Sequence, residues 1–413
     1  MKVALVCKSD TTGGAAVVTF RLMNALRRKG VDARMIVVEK LSDSPWVIKA
    51  ASARRAKIPF IIERLRIFLK NGFRKDTIFK IDTCTDGLPI NKIPFVRQAD
   101  VICLNWINQG MLSTRNIRML AGLGSHLVWT MHDMWNMTGI CHHAGYCREY
   151  ISPDGECKRC PLLKGAMTLK TLAHHTWTRK RKMYSGCRFH FVAVSRWLAD
   201  CARNSTLMDN ARISVIPNAF PLLMNEMPKP ITNKRIIFGA ARIDDPIKGH
   251  DTLIEATKIL AEKFPERAKE IELVTFGSLK NPDALANVGI RHTHLGRISP
   301  DEIKDVYQSG SVVVSSSEWE TLPGTLIEGQ AWGCVPVALD HGGQSDIIDH
   351  LATGYLVPWS DDMKKNALGI AEGIIWGFDN RERIMAAMQQ SVISKFSEDA
   401  VAEAYIRLFK SFD

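Results

Sequence analysis

A chain of 413 residues is long for one core, so two domains are expected, and 46% hydrophobic with 24% charged residues is an ordinary globular balance. No stretch approaches the apolar length a membrane span needs, and the opening MKVALVCKSD lacks the charged region and long apolar region of a secretory leader, so a cytosolic protein is expected. A net charge of +12 favours anionic partners, and ten cysteines in a reducing compartment point to metal binding, catalysis or burial rather than to a disulfide framework.

In chain order, KVALVC reads as a buried strand, KSDTTGGAA as a glycine turn, VVTFRLMNALRRKG as a helix and ARMIVVE as a second strand. DVICLNW, HLVWTMHD and FHFVAVS continue as buried parallel strands. ISVIPNAFPLLMNEMPKPITNKR is rich in proline, lacks a period and reads as a linker. Beyond it, IIFGAAR, IELVTFG, HTHLG, SVVVSSS and VPVALD are strand candidates. GHDTLIEATKILAEKF, SPDEIKDVYQSG and GTLIEGQAWGC are the helical patterns between them. The expectation is α/β: two Rossmann-like, doubly wound parallel-sheet domains facing a cleft. Residues 1–222 would form the N-terminal domain, with a cysteine-rich insert at 139–163, and residues 223–395 the C-terminal domain. The amphipathic helix in 396–413 is expected to pack back on the N-terminal domain.

Three turns at predicted strand ends carry candidate chemistry. Gly13 and Gly14 lie between a strand and a helix, where bare amides and the helix dipole favour an anion. The stretch is neither a dinucleotide fingerprint nor a P-loop, and a plain flexible turn is the alternative. In FGAARIDDPIKGHDTLIEA, Arg242 and Lys248 follow a strand and Gly249 opens a helix, an arrangement that can neutralise a diphosphate or be an ordinary solvated loop. In SVVVSSSEWETLPGTLIEGQAWG, Glu320 falls at a strand's carboxyl end and Glu328 in the first turns of a helix. Gly324 permits close approach of the backbone, and the Thr325 and Leu326 amides sit at the helix start, where a phosphate is favoured. Glu328 is suited to accept both hydroxyls of a ribose, although a first-turn glutamate also serves any helix dipole.

The two glutamates eight apart, the Arg242–Lys248 pair, the early GG turn, IPNAF, LGRISPDEIKDVY and GCVPVALDHGGQSDII together resemble glycosyltransferase family 4, over nearly the whole chain and in the right order. The resemblance implies the GT-B fold and retaining sugar transfer from a nucleotide sugar. It implies that Glu320 faces the transferred sugar, that Glu328 holds the ribose, and that Arg242 and Lys248 stabilise the diphosphate leaving group without a catalytic metal or cofactor. Gly13 and Gly14 would let the N-terminal domain close near the diphosphate and acceptor. His132, in WTMHDMW, would line the sugar site, with Asp133 a weaker candidate and no general base assigned. Asn105 stands where the subfamily with HD-x-W-x-x-T-G-x-C often has histidine. The implied setting is surface polysaccharide or lipopolysaccharide assembly in the cytoplasm, with a glycan or lipid-linked acceptor.

TGICHHAGYCREYISPDGECKRCPLL holds Cys141, Cys147, Cys157 and Cys160, a set able to bind a structural zinc, with His142 or His143 as a substitute ligand. Related exopolysaccharide-type enzymes carry a similar insert; unligated thiols and disulfides are the alternatives. The basic stretch from Ile48 to Asp76, interrupted by Pro59, and HHTWTRKRKMY, with Trp177 and Tyr184, suit an anionic membrane surface at the inner leaflet or simply a solvated face. A nucleic-acid-binding protein with a zinc-stabilised module is the rival class, but no finger or RNA-recognition signature appears, and nucleic acid is not expected as a partner. A phosphorylase would need a pyridoxal-lysine motif, which is not found.

Overall fold

The computed structural model describes residues 1–163, 167–222 and 234–412, and in it the chain divides into two compact units. One comprises Met1–Ala219 with Glu398–Asp413, the other Phe220–Ser397.

The first unit opens with strand β1 (Lys2–Ser9), whose run KVALVCKS is buried almost throughout. A strand covered on both faces has no use for alternation, hence the continuous apolar run. Helix α1 (Gly14–Arg28) buries Leu22, Met23 and Leu26. Then follow β2 (Asp32–Glu39), the short β3 (Val47–Lys49) and α2 (Ala53–Lys70). Pro59 does not break α2: it sits in the second turn, so the missing N–H costs one ladder bond, and its ring is buried. The chain continues through α3 (Pro94–Arg97), β4 (Val101–Leu104) and α4 (Thr114–Ala121), the last opened by a Ser113–Asn116 capping box. β5 (His126–Met131), α5 (Met167–Gly186), β6 (Phe189–Ala193), α6 (Arg196–Arg203) and β7 (Arg212–Val215) complete the run. The seven strands are parallel, in the order β3-β2-β1-β4-β5-β6-β7. The expected linker is thus shorter than its proline content suggested: its first residues belong to β7, and its residues 223–233 lie outside those described.

The second unit runs β8 (Lys234–Arg242), α7 (His250–Lys263), α8 (Pro265–Ala268), β9 (Ile271–Ser278), β10 (Arg291–His294), α9 (Pro300–Gln308) and β11 (Val312–Ser315). It closes with α10 (Gly324–Ala331), β12 (Val335–Asp340), β13 (Tyr355–Pro358) and α11 (Met363–Phe396). Its six strands are parallel in the order β10-β9-β8-β11-β12-β13. The core joins Ile236, Leu273, Val314 and Val337 of the sheet with Leu253, Ile370 and Ile374 of the helices.

After α11 the chain returns to the first unit as α12 (Glu398–Lys410). Val401, Tyr405, Leu408 and Phe409 enter the core formed with Leu22, Leu26 and Val101. Ion pairs Arg28–Glu398 (2.6 Å) and Lys29–Glu403 (2.8 Å) flank that contact, and the Tyr405 and Thr130 hydroxyls meet at 2.9 Å.

Each sheet has one place where winding reverses, between β1 and β4 in the first unit and between β8 and β11 in the second. Loops leaving neighbouring strands there depart to opposite faces and leave a crevice at the carboxyl ends, where such sheets bind ligands.

Candidate functional site

In the second unit the reversal point gathers the expected charges. β8 ends at Arg242, whose guanidinium is held by Asp245 at 2.5 Å. Asp245 also starts the turn Pro246–Lys248 by accepting from the Ile247 amide. Gly249 then adopts φ 63°, and a Cβ there would meet the Ser316 carbonyl oxygen at 2.0 Å. Only glycine lets this loop lie against the end of β11, and Ser316 Oγ donates to the Lys248 carbonyl at 3.1 Å across that contact. Lys248 Nζ therefore reaches Glu320 in the next loop and pairs with it, while Ser317 Oγ donates to the same carboxylate oxygen at 3.3 Å. Both charged side chains are partly buried. The Gly343 amide fixes the Glu320 backbone from the loop after β12 at 2.8 Å. Four residues beyond Glu320, α10 begins at Gly324 with Pro323 as N-cap and no side chain capping it. Lys248 and Glu320 thus meet at the strand ends, with Arg242 at the end of β8 and the uncapped α10 start four residues after Glu320, groups of a kind suited to a phosphate and a polyhydroxyl group.

At the matching point of the first unit, Gly13 caps α1 without a side-chain bond, and open space surrounds the Cβ directions of Gly13 and Gly14. His132 follows β5, and its Nε2 lies 3.1 Å from Asn105 Oδ1 beyond β4. Burial pulls the His132 pKa down to about 4, so the ring is neutral at pH 7. Asp133 turns instead to His142, with 2.7 Å between Oδ2 and Nδ1, and accepts from Trp106 Nε1 at 3.2 Å. The other ring nitrogen of His142 lies 2.7 Å from Asp82, which is in turn paired with Arg64. Burial depresses the His142 pKa, but Asp133 and Asp82 more than offset it and hold the imidazolium up to about 10. Burial alone would raise Asp133; His142 and the Trp135 amide hold it at about 2. Lys180, buried over the Trp135 ring and bonded to the carbonyls of Trp135 and Thr138, is pulled down to about 7 by burial.

Comparison with known proteins fits this geometry. The family of Glycosyl transferases group 1 matches residues 225–391. The C-terminal unit is a glycosyltransferase group 1 domain. Across more of the chain, the putative colanic acid biosynthesis glycosyl transferase WcaC of Escherichia coli K12 is 25% identical over 351 residues, 80% of each protein. An uncharacterised glycosyltransferase of Methanocaldococcus jannaschii is 31% identical over 174 residues, but that match spans 40% of this chain and only 42% of the relative. Among solved structures, Anabaena HepE in complex with UDP and glucose aligns over the whole of both chains with TM-score 0.58 and 14% identity. The fold is thus GT-B, with two parallel-sheet α/β units.

In the second unit the structure brings Lys248 and Glu320 into contact, while Arg242 ends β8 and pairs with Asp245, and Gly324 opens α10. Thr325 stands at the α10 start, but the Leu326 amide is engaged by the Pro323 carbonyl at 3.2 Å and its side chain is buried in the core, so Leu326 is the weakest of the expected donor contacts. Glu328 lies one turn into α10, near enough to the buried Tyr307 phenol to raise its pKa along with burial. Sequence reasoning missed a column of rings at the ends of β11, β12 and β13, Trp319 against His341 (4.3 Å) and His341 stacked on Trp359 (4.2 Å). The tryptophan directly before the candidate Glu320 was the available signal. It also missed the Asp82–His142–Asp133 chain, because Asp82 stands 60 residues from its partner in an unremarkable stretch.

Cys141, Cys147, Cys157 and Cys160 do share one small cavity of about 50 Å³, and all ten cysteines are free thiols. Cys157 accepts from the Gly139 amide at 3.2 Å, and burial raises Cys141 and Cys157 to about 12. Among the described residues, however, no group of three or more His, Cys, Asp or Glu is placed to hold a metal ion. The four thiols line that cavity together, beside Thr138 and Tyr150.

Proposed function

We propose that the protein is a retaining glycosyltransferase that moves a sugar from a nucleotide-sugar donor to a glycan or lipid-linked acceptor. The carrying observation is the Lys248–Glu320 pair at the β8–β11 reversal, with Arg242 at the end of β8 and the uncapped start of α10 four residues after Glu320. Breaking the bond between sugar and diphosphate leaves a new anionic oxygen. Stabilising that charge as it develops is the largest service a site can render, and two cations with oriented amides do this without a metal. In the structure Lys248 is engaged by Glu320 and Arg242 by Asp245. A diphosphate competes for both cations and releases the Glu320 carboxylate toward the sugar hydroxyls. Glu328, farther along α10, takes the ribose. Attack from the leaving-group face, with the departing phosphate accepting the acceptor's proton, gives retention and needs no protein base; the neutral, buried His132 suits a contact role instead.

The likeness to WcaC supports surface polysaccharide assembly as the setting, and HepE supports UDP as the nucleotide. A cytoplasmic protein at the inner face of the membrane fits a lipid-linked acceptor, and no helix among the described residues is long and apolar enough to cross a membrane.

Titration with UDP, GDP and ADP tests this reading. One nucleotide should bind saturably; Glu328→Ala should weaken it, whereas Glu320→Ala should leave nucleotide affinity nearly unchanged and abolish most turnover. Absence of binding by any nucleotide, or wild-type kinetics in both variants, overturns it. NMR of the product's anomeric proton decides retention.

A further inference from the structure

Helix α2 is built inside out. Its inward side carries an ion pair: Glu63 and Arg64 are buried, with Glu63 accepting from the Thr83 and Cys84 amides at 3.0 and 2.7 Å and Arg64 donating to Asp82 and to the Ile81 carbonyl. Its solvent side carries Ile58, Ile61, Leu65 and Leu69, each between 51% and 57% exposed, with Ile62 at 37%. Phe73, just past the helix end, is 66% exposed. At about 100° per residue these five helical positions fall within an arc of about 100°, a continuous stripe rather than scattered exposure. The buried network fixes which side faces water, because rolling the stripe inward would pull Glu63 from the Thr83 and Cys84 amides and leave buried Asp82 without Arg64, with His142 then shared between two carboxylates.

Charge surrounds the stripe on both sides. Arg54, Arg55, Lys57, Arg66 and Lys70 are exposed along α2, with Arg66 held by Asp86 at 2.6 Å, and the helix's one acid, Glu63, is buried. A contiguous apolar stripe of this kind marks an interaction surface, and basic residues on its flanks select a negatively charged partner. Eighteen residues carrying this many cations suit lying in an interface plane, not spanning one.

We propose that α2 is a membrane-docking surface, its Ile58–Leu69 stripe entering the headgroup boundary of an anionic bilayer while the flanking Arg and Lys side chains meet the lipid phosphates. The proposal gives a surface to the membrane setting suggested above, yet it stands on the exposure and charge of one helix and is independent of the transfer chemistry. Nucleotide binding is measured without lipid, so either reading can fail alone.

The test is flotation of the full chain with phosphatidylcholine vesicles, with and without phosphatidylglycerol. Wild type should float with the anionic vesicles only, and high salt should weaken that binding. Ile61→Ser combined with Leu65→Ser should cut the bound fraction by about tenfold or more with melting temperature and nucleotide affinity unchanged, because both positions are exposed. Arg55→Glu with Lys57→Glu should remove the preference for anionic lipid, whereas Ile61→Leu with Leu65→Met should bind as wild type. Failure of wild type to float, or equal flotation of the serine variant, overturns the proposal. So does a dimer in sedimentation that the serine substitutions dissolve without any vesicle binding, which would assign the stripe to a second copy.

Discussion

Lys248 is where a structural and a chemical role can be separated. Its pairing with Glu320 is partly exposed, and such pairs contribute little to stability, so Lys248→Ala should shift the melting temperature only slightly. Its loss should weaken a nucleoside diphosphate by about tenfold or more and the corresponding monophosphate much less, since a charge-assisted bond to the terminal phosphate is what disappears. Calorimetric titration with the two nucleotides checks this, and equal losses would assign Lys248 to the loop rather than to the ligand. His142 gives a second residue-scale test through pH. Its folded pKa, about 10, lies above the ordinary value of 6.5, so its contribution is complete below about pH 6.5 and is lost as pH rises through 10. Lys180 works against it in the same window, because a folded pKa depressed to about 7 makes stability grow as pH rises. The quantity to measure is therefore the difference in melting temperature between wild type and His142→Gln: large at pH 6 to 7, shrinking toward pH 10. A difference that does not change with pH would mean that Asp82 and Asp133 do not hold a charged imidazole.

At the scale of elements, what could be read in advance was what depends on neighbours in sequence. The buried runs of β1, β2, β4, β5, β6, β8, β9, β11 and β12, and the periodic helices α1, α7, α9, α10 and α12, were legible because a parallel strand is a short apolar block and a surface helix repeats every three to four residues. The edge strands β3, β7 and β13 were not, having three or four residues each and half-exposed side chains that carry no pattern. Helix α2 was obscured by Pro59 and by apolar residues on its wet side. Arg242, Lys248 and Glu320 were legible as charges at or just after strand ends. Their pairing was not, because it depends on Gly249 fitting against Ser316, a contact between residues 67 apart in the chain. That fit predicts the behaviour of Gly249→Ala: a Cβ at 2.0 Å from a carbonyl oxygen, at φ 63°, forces the β8 loop off the end of β11 and costs roughly 1–3 kcal/mol. Because Lys248 precedes Gly249, the variant should lose nucleoside diphosphate affinity together with melting temperature, and retained affinity in a destabilised variant would place the diphosphate elsewhere.

For the whole molecule, the consequential fact is that its last helix does not belong to the unit that precedes it. The chain leaves the first unit after Ala219, builds the group 1 domain, and returns with α12 to complete the first unit's core. The sequence showed α12 as amphipathic and carried the expectation that it packs back on the N-terminal domain, but amphipathicity states that a face will be covered and not which side chains cover it. Burial of Val401, Tyr405, Leu408 and Phe409 is worth roughly 1.5–3 kcal/mol per side chain, so together they carry about as much free energy as a whole domain's net stability, commonly about 5–15 kcal/mol. A chain ending at Ser397 should therefore lose the cooperative melting of the first unit, while the second, which ends at Ser397 and loses none of its own residues, should keep its own transition and its stabilisation by nucleotide. Calorimetry with and without nucleotide distinguishes the outcomes. One lost and one ligand-sensitive transition supports the division of labour. Loss of both would mean that the donor-binding unit depends on the first for its fold, and survival of both would mean that α12 covers a face the first unit can leave open.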